Sequence, residues 1–432
     1  MKTAFIMAGG KGTRLKELTN DEIPKPLVKV LGISLIEREL ILLKQYNFKK
    51  VFISVGHLAQ KIIQALGNGE KYGLEIKYII ETSPLGSGGA LYYVKNKIDN
   101  DLLVLSGDVI LDVDFDKMLE YHKQNNALAT LFVHPNIHPY DSDLVVFDKN
   151  NIVSQFDFKG TGRNYYYKNS VNAGLFILNR DSLNYCTEPK KINMEKDFLN
   201  SIIPTKRVFA YKSTEYIKDA GTLDRIEKVT IDLQNGIVAQ KNLKNKQVAI
   251  FLDRDGTINK YKKFIKNVED IELLPNVQKA INRINESKYL ALVVTNQPVI
   301  ARGEASFEDV EQMNNKIETL LGETGTYIDD IIFCPHHPDK GFDGEVKELK
   351  IECECRKPKI GMIKYFENKY NIDLGKSYIV GDTGLDIQTG INAGLKTIKL
   401  PFEDNDKFSN IKADFYANDL LEAVEIILND KN

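Results

Sequence analysis

Short apolar runs recur along the chain with longer helical stretches between them. KTAFIMA, KVFISVG, LEIKYII and DLLVLSGD punctuate the first half, and QVAIFLD, LALVVTN and SYIVGD the second. Each has the length and the β-branched or aliphatic content of a strand, so the alternation predicts an α/β fold with mostly parallel sheets. Between Leu233 and Gln247 the text turns into polar LQNGIVAQKNLKNKQ, which predicts a linker over 233–246 between domains spanning 1–232 and 247–432. A length of 432 residues exceeds what one hydrophobic core usually supports, in agreement with two domains. No repeat crosses the linker, and the halves carry different glycine and aspartate motifs, which argues against duplication.

Composition narrows the picture. With 43% hydrophobic and 27% charged residues the chain is an ordinary globular protein, not a disordered one. A formal net charge of −2 supplies no global field for nucleic acid or anionic membrane, so neither is expected as a partner and any phosphate binding must be local. The opening run AFIMA stops at Gly9-Gly10-Lys11, too early for a signal-peptide core or a membrane span. Of four cysteines, Cys334, Cys353 and Cys355 crowd one polar segment while Cys186 stands alone, which suggests a metal, a reducing compartment and a cytoplasmic location.

In the first half, the strand KTAFIMA runs into Gly9-Gly10-Lys11-Gly12-Thr13-Arg14-Leu15, a turn where backbone N–H groups can approach phosphates. It is neither a Walker A loop nor the dinucleotide GxGxxG pattern. Pro24-Lys25-Pro26-Leu27 holds a lysine between two restricted positions, and Leu85-Gly86-Ser87-Gly88-Gly89-Ala90 offers a second close-approach loop. DLLVLSGD places Asp108 at a strand's carboxyl end, where open α/β sheets bind ligands. Asp219, in Asp219-Ala220-Gly221-Thr222, offers a second carboxylate able to share Mg²⁺ with Asp108.

GGKGTRL, PKPL, LGSGGAL, SGD, NAGLF, MEKD and DAGT, in this order over residues 1 to 230, resemble the sugar-1-phosphate nucleotidyltransferases, and most of all the guanylyltransferases acting on D-glycero-α-D-manno-heptose 1-phosphate. The resemblance implies a Rossmann-like fold with a mixed sheet, and attack of a sugar phosphate on the α-phosphorus of a nucleoside triphosphate with release of pyrophosphate. By the same resemblance Gly9, Gly10, Gly12, Thr13 and Arg14 cradle the triphosphate, Lys25 clamps the reacting phosphates, and Gly86 and Gly88 lie beside the base. Asn172, Gly174 and Glu195 meet sugar hydroxyls, Lys196 meets the sugar's phosphate, and Asp108 and Asp219 hold Mg²⁺. Without it, Asn172 and Gly174 suit the start of a strand equally well, and Glu195-Lys196 a solvated helix face.

In the second half, QVAIFLD leads into Asp253-Arg254-Asp255-Gly256-Thr257, with two carboxylates two residues apart at a strand end, an arrangement that is costly without a cation. Thr295 ends LALVVT, Asp382 ends SYIVGD with Asp386 following, and Lys357 lies in Arg356-Lys357-Pro358. A parallel sheet gathers these at one edge, supplying an aspartate nucleophile, carboxylates for metal, and a hydroxyl and an ammonium for phosphate. Between them, the polar loop from Cys334-Pro335-His336-His337 to Cys353-Glu354-Cys355 has no core for three cysteines to fill. A structural Cys₃His zinc site explains them, with His336 the expected fourth ligand and His337 the competing one.

This ordered set resembles the haloacid-dehalogenase-like phosphatases. FLDRDGTIN, TNQ, ARG, CPHHP and CECRKP narrow the resemblance to the heptose 1,7-bisphosphate 7-phosphatases and related histidinol-phosphatases, over about residues 247 to 432. It implies that Asp253 forms an aspartyl phosphate, that Asp255 acts as general acid and then base, and that Thr295 and Lys357 bind the transferring group. Mg²⁺ is then held by Asp253, Asp382 and the Asp255 backbone carbonyl, with Asp386 as an orienting group. Arg302 and Lys340 are candidates for a distal phosphate, with plain surface charge the alternative for either, and Arg356 is a further candidate for the sugar phosphate. Pro298-Val299 and Thr383 depart from the family's usual Ser-Gly and Lys, which loosens substrate identity more than reaction type.

Together these readings imply two consecutive enzymes in one chain, since a heptose 1,7-bisphosphate stripped of its C7 phosphate is a heptose 1-phosphate. The expected partners are a nucleoside triphosphate and sugar phosphates, and homo-oligomerisation stays open. The same chemistries on another sugar or polyol phosphate with CTP, UTP or ATP, and a half acting only as a nucleotide-sugar sensor, are the alternatives. Intact Asp253, Asp255, Lys25, Asp108 and Asp219 argue against a sensor.

Overall fold

The computed structural model describes residues 2–10, 15, 19–402, 408 and 410–430. Lys11, Gly12, Thr13 and Arg14, all in the expected phosphate turn, lie outside the described residues. The chain divides into two compact units, one of Met1–His134, Asp143–Phe158 and Val171–Asn242, the other of Pro135–Ser142, Lys159–Ser170 and Leu243–Asn432. Among the described residues no helix is long and apolar enough to cross a membrane.

The first unit is organised on a nine-stranded sheet. Its strands are β1 (Thr3–Ala8), β2 (Lys50–Val55), β3 (Glu75–Ile80), β4 (Leu102–Ser106), β6 (Ala129–His134), β7 (Leu144–Phe147), β8 (Val153–Asp157), β9 (Val171–Leu178) and β10 (Val208–Lys212). A separate ribbon pairs β5 (Val109–Asp112) with β11 (Tyr216–Asp219). The sheet order is β8-β7-β9-β4-β1-β2-β3, with β6 beside β9 and β10 beyond it. β1 to β4 are parallel and β9 runs antiparallel to β4, giving the expected mixed sheet. Ala4, Ile6 and Ala8 face one core with Leu103 and Leu105, whereas Phe5 faces the other with Leu102 and Val104. Burial on both faces explains why the run is apolar without alternation. Fully buried Phe5 alone contributes about 1.5–3 kcal/mol.

In these parallel strands β1 delivers Gly9 and Gly10, and β4 delivers Asp108, to the same sheet edge. The antiparallel ribbon sets Asp219 opposite Val109, the neighbour of Asp108.

The second unit carries a six-stranded, wholly parallel sheet in the order β14-β13-β12-β15-β16-β17. These are β12 (Val248–Leu252), β13 (Tyr289–Asn296), β14 (Asp330–Cys334), β15 (Tyr378–Gly381), β16 (Lys396–Lys399) and β17 (Phe415–Tyr416). Val248, Ile250 and Leu252 enter one core, Ala249 and Phe251 the other. Three adjacent strands therefore end, on one edge, at Asp253, Thr295 and Asp382.

The boundary between the two units, Asn242/Leu243, falls within the expected linker over 233–246, although part of that stretch is helical. A helix over Leu223–Gln234 continues past residue 232 and another covers Ile237–Gln240. The second is anchored because Val238 is buried with Val229 and Tyr216, with Leu233 and Ile237 packed alongside. Asn242 closes the unit by donating to Tyr46 Oη at 3.0 Å and Asp112 Oδ1 at 2.6 Å. Two short stretches of the first half also belong to the second unit, where the Tyr167 N–H donates to Thr319 Oγ1 at 2.9 Å and Pro139 packs against Gly322.

Two candidate active sites and a candidate metal centre

In the first unit, Gly9, Gly10, Lys25, Gly86, Ser87, Asp108 and Gly221 line a cleft of about 690 Å³. Lys25, only 9% exposed, is held in a short turn after Pro24. Its ammonium donates to Asp108 and lies 3.4 Å from Asp219 Oδ1, while Arg225 pairs with the other Asp219 oxygen. Ser106 Oγ donates to Asp108 Oδ1 at 2.8 Å. Of the residues expected to meet phosphates and Mg²⁺, Lys25, Asp108 and Asp219 thus come together, and Arg225 joins them as a second cation.

Gly86 lines the cleft with φ at +71°, and a Cβ there would stand 2.4 Å from Ile192 O, so only glycine fits. Gly88 is placed differently. Its N–H donates to Ile192 O at 2.9 Å, and it is not among the residues lining the cleft. Asn172 donates to Glu195 Oε1 at 3.0 Å, and Gly174 stands beside Ser106. Burial raises the Glu195 carboxyl above its usual range, only partly offset by its backbone hydrogen bond and Asn172. The Lys196 ammonium lies 5.1 Å from the Phe158 ring.

Sequence reasoning missed Ser106 and Arg225, which orient the two aspartates, and Glu39 on the helix Leu35–Gln45. Glu39 is 1% exposed, and among the described residues neither carboxyl oxygen has a hydrogen-bond partner. Burial, reinforced by the charge of Asp108, raises its carboxyl well above the usual range. Nothing in LIERELILLKQ distinguishes it from a solvated glutamate.

In the second unit, Asp253, Asp382 and Asp386 each offer an oxygen within 4.8 Å of the others. Lys357, 4% exposed, donates to Asp253 Oδ1 at 2.7 Å and Asp386 Oδ1 at 2.5 Å. Burial raises the carboxyls of Asp253 and Asp382. Lys357 opposes this at Asp253 while neighbouring aspartates add to it, and at Asp382 the charges of Asp253 and Asp386 add to it. Burial would lower the Lys357 ammonium, but Asp253 and Asp386 reverse that and raise it.

Asp382 Oδ1 is buried with no hydrogen-bond partner among the described residues, as an oxygen meant for a cation would be. Both Asp386 oxygens are engaged, one by Lys357 and the other by Thr383, which suits orientation better than ligation. Gly256, at φ +88°, lets the chain pass where a Cβ would sit 1.8 Å from Asp382 Oδ2.

Asp255 is gripped by Arg254, whose fully buried guanidinium reaches both oxygens at 2.9 to 3.1 Å and Asn314 Oδ1 at 3.2 Å. Arg254 lies inside the quoted DRDGT motif but was given no role. Arg302 is stacked over Phe264 at 3.7 Å and Phe342 at 4.4 Å, and its Nε has no hydrogen-bond partner among the described residues. Arg356 donates to His336 O at 3.1 Å, whereas Lys340 is simply exposed.

The cysteine loop closes as expected. Cys334, Cys353 and Cys355 have Sγ–Sγ separations of 3.2 to 3.5 Å, and His336 Nδ1 is 3.3 Å from Cys355 Sγ. Three soft thiols and an imidazole within 4.8 Å of one another could hold a metal ion, and this donor set suits zinc. His337 faces elsewhere, its Nδ1 taking the Asp339 N–H at 3.1 Å.

Comparison with known proteins agrees with both halves. The family described as nucleotidyl transferase matches residues 3–236, and the family described as polynucleotide kinase 3 phosphatase matches residues 247–426. A D-glycero-beta-D-manno-heptose-1,7-bisphosphate 7-phosphatase of Yersinia pestis is 38% identical over 149 residues, 34% of this chain and 77% of that protein. A D-glycero-alpha-D-manno-heptose-1,7-bisphosphate 7-phosphatase of Photorhabdus laumondii is 40% identical over 151 residues, 35% of this chain and 80% of that protein. A mannose-1-phosphate guanylyltransferase of Mycobacterium tuberculosis is 26% identical over 244 residues, 56% of this chain and 67% of that protein. The chain therefore belongs to the nucleotidyl transferase family through its first half and to the heptose-1,7-bisphosphate 7-phosphatase family through its second.

Proposed function

We propose that the chain is a two-reaction enzyme that removes the C7 phosphate of a heptose 1,7-bisphosphate and transfers a nucleotidyl group, GMP from GTP, to the resulting heptose 1-phosphate. The observation that carries this reading is the pair of intact charge clusters, Lys25 with Asp108 and Asp219 in one unit and Lys357 with Asp253, Asp382 and Asp386 in the other. The product would be a GDP-activated heptose for surface glycans, made in the cytoplasm.

In the hydrolytic reaction Asp253 attacks phosphorus, the bond from phosphorus to the C7 oxygen breaks, and Asp255 gives that oxygen a proton. Water then attacks the aspartyl phosphate and passes its proton to Asp255, releasing inorganic phosphate and free Asp253. Lys357 and Thr295 hold the phosphoryl oxygens, while Arg302 and Arg356 would take the distal phosphate. Asp253, Asp382 and the Asp255 carbonyl would hold Mg²⁺, whose chemistry is to neutralise phosphate charge. The Cys₃His cluster would hold Zn²⁺ as a brace for the loop leading into Arg356-Lys357.

In the transfer reaction a sugar-phosphate oxygen attacks the α-phosphorus and the bond to pyrophosphate breaks. Lys25 and the glycine-rich turn, with Thr13 and Arg14, gather the phosphates. Asp108 and Asp219 would hold Mg²⁺ there, and Asn172, Gly174, Glu195 and Lys196 would take the sugar phosphate. Gly86 and Gly88 would lie beside the base. Catalysis is then mostly positioning and neutralisation between two polyanions.

The test is to incubate the protein with each of GTP, ATP, CTP and UTP against a panel of sugar phosphates and identify products by mass spectrometry. GDP-heptose from GTP and heptose 1,7-bisphosphate is expected. Turnover of another sugar with another nucleotide would replace the substrate assignment while keeping both chemistries.

A further inference from the structure

β13 ends at Thr295-Asn296, and Gln297 follows directly; the three side chains meet the site in different ways. Asn296 braces the backbone of Lys357, its Oδ1 taking the Lys357 N–H at 3.0 Å and its Nδ2 donating to the Lys357 carbonyl at 3.3 Å. Gln297 faces the other way along the strand. It is 2% exposed, and its Nε2 donates to Asp255 Oδ2 at 2.9 Å and to Thr295 Oγ1 at 3.0 Å. Its backbone N–H donates to Cys334 O at 2.8 Å, tying it to the strand that supplies the first cysteine of the metal loop.

Asp255 has other donors. Arg254 reaches both its oxygens, and Asn259 Nδ2 donates to Oδ1 at 2.9 Å. Among the donors found on Asp255, only Gln297 also touches Thr295, the hydroxyl at the phosphoryl position. A carboxylate held by Arg254 and Asn259 alone is fixed in space but not relative to the leaving group. The bridging amide supplies that relation, and misplacement by about 1 Å is enough to cost roughly 100-fold in rate.

We propose that Gln297 is a positioning residue of the phosphatase site, its amide aiming the Asp255 carboxyl at the leaving oxygen by tying it to Thr295. This rests on the phosphatase reading above. The test compares two leaving groups in Gln297→Met, which keeps the side-chain volume but removes both donors. A sugar alkoxide needs a proton as it leaves, whereas p-nitrophenolate does not. With heptose 1,7-bisphosphate kcat/KM should fall ~10–100-fold, and with p-nitrophenyl phosphate by less than ~3-fold. Zinc content and pyrophosphate formation should match the wild type.

Equal losses on both esters, or no loss on either, would overturn the role of Gln297. Should Gln297→Met be insoluble, Gln297→Asn, which keeps the amide but shortens its reach, carries the same expectation. If the wild type hydrolyses neither ester, it is the phosphatase reading that fails. If it hydrolyses only the aryl ester, the heptose assignment fails and glycerol 1-phosphate becomes the alkyl probe.

Discussion

Replacing Lys357 by Met keeps the side chain's length but removes the cation that, among the described residues, bridges Asp253 and Asp386. Its ammonium is 2.7 Å from the first and 2.5 Å from the second, it is 4% exposed, and Asp382 stands in the same cluster. Breaking a buried pair by removing one partner leaves uncompensated charge and costs about 3–5 kcal/mol. For a unit of this size 1 kcal/mol moves the midpoint by about 2–4 °C, so the unfolding transition of the second unit should drop by roughly 6–20 °C in the absence of divalent cation. Mg²⁺ should recover part of the loss and stabilise the variant more than the wild type, because the cation then relieves the crowded carboxylates alone. Phosphatase kcat should fall ~100–1,000-fold through loss of a fixed positive charge at the transferring group. Differential scanning calorimetry with EDTA and with Mg²⁺, alongside phosphate release, measures all of this. A second-unit transition within about 2 °C of wild type would refute the assignment of Lys357 as counter-ion to the aspartates.

The cysteine loop and the first unit make separate predictions. Cys355→Ser should lower bound zinc from about one ion per chain towards none and disable the phosphatase while pyrophosphate formation persists, as read by elemental analysis with both assays. Equal zinc in the variant would contradict the Cys₃His assignment. For Glu37, partial desolvation raises the carboxyl, but hydrogen bonds from Tyr72 and Ser34 outweigh it and hold the pKa at about 2 against 4.5. A depressed carboxyl contributes stability above its unfolded value, and that contribution is lost as the pH falls from 4.5 towards 2. The stability advantage over Glu37→Gln should therefore be full at neutral pH and shrink across that window; a gap independent of pH would contradict it.

The strands were legible because a parallel sheet covered on both faces writes itself as continuous apolar text, and the chemistry follows where each run stops, as at Asp108, Asp253, Thr295 and Asp382. The candidate metal loop was legible because three thiols crowd an otherwise polar text, although Cys334 in fact lies in a hydrophobic core with Cys353 and Cys355 packed against it, and it is His336 rather than His337 that joins them. What escaped depends on tertiary partners. The stretch around Val238 reads as linker until Val229 and Tyr216 are known to cover it. Glu39 carries no local mark of its burial. Nor does the text of 135–142 or 159–170 reveal that these stretches belong with the second unit. Gln297 sits in the quoted TNQ motif, yet its link to Asp255 crosses from one strand end to the next and has no signature in spacing.

The central claim is that the two reactions run at separate sites in one chain. It is tested most directly by assaying phosphate release and pyrophosphate formation side by side in Asp253→Asn and Asp108→Asn. Asp253→Asn should abolish phosphate release and leave pyrophosphate formation at the wild-type rate when heptose 1-phosphate is supplied, and Asp108→Asn should do the reverse. Loss of both activities from either single substitution, in protein that still folds, would contradict the account.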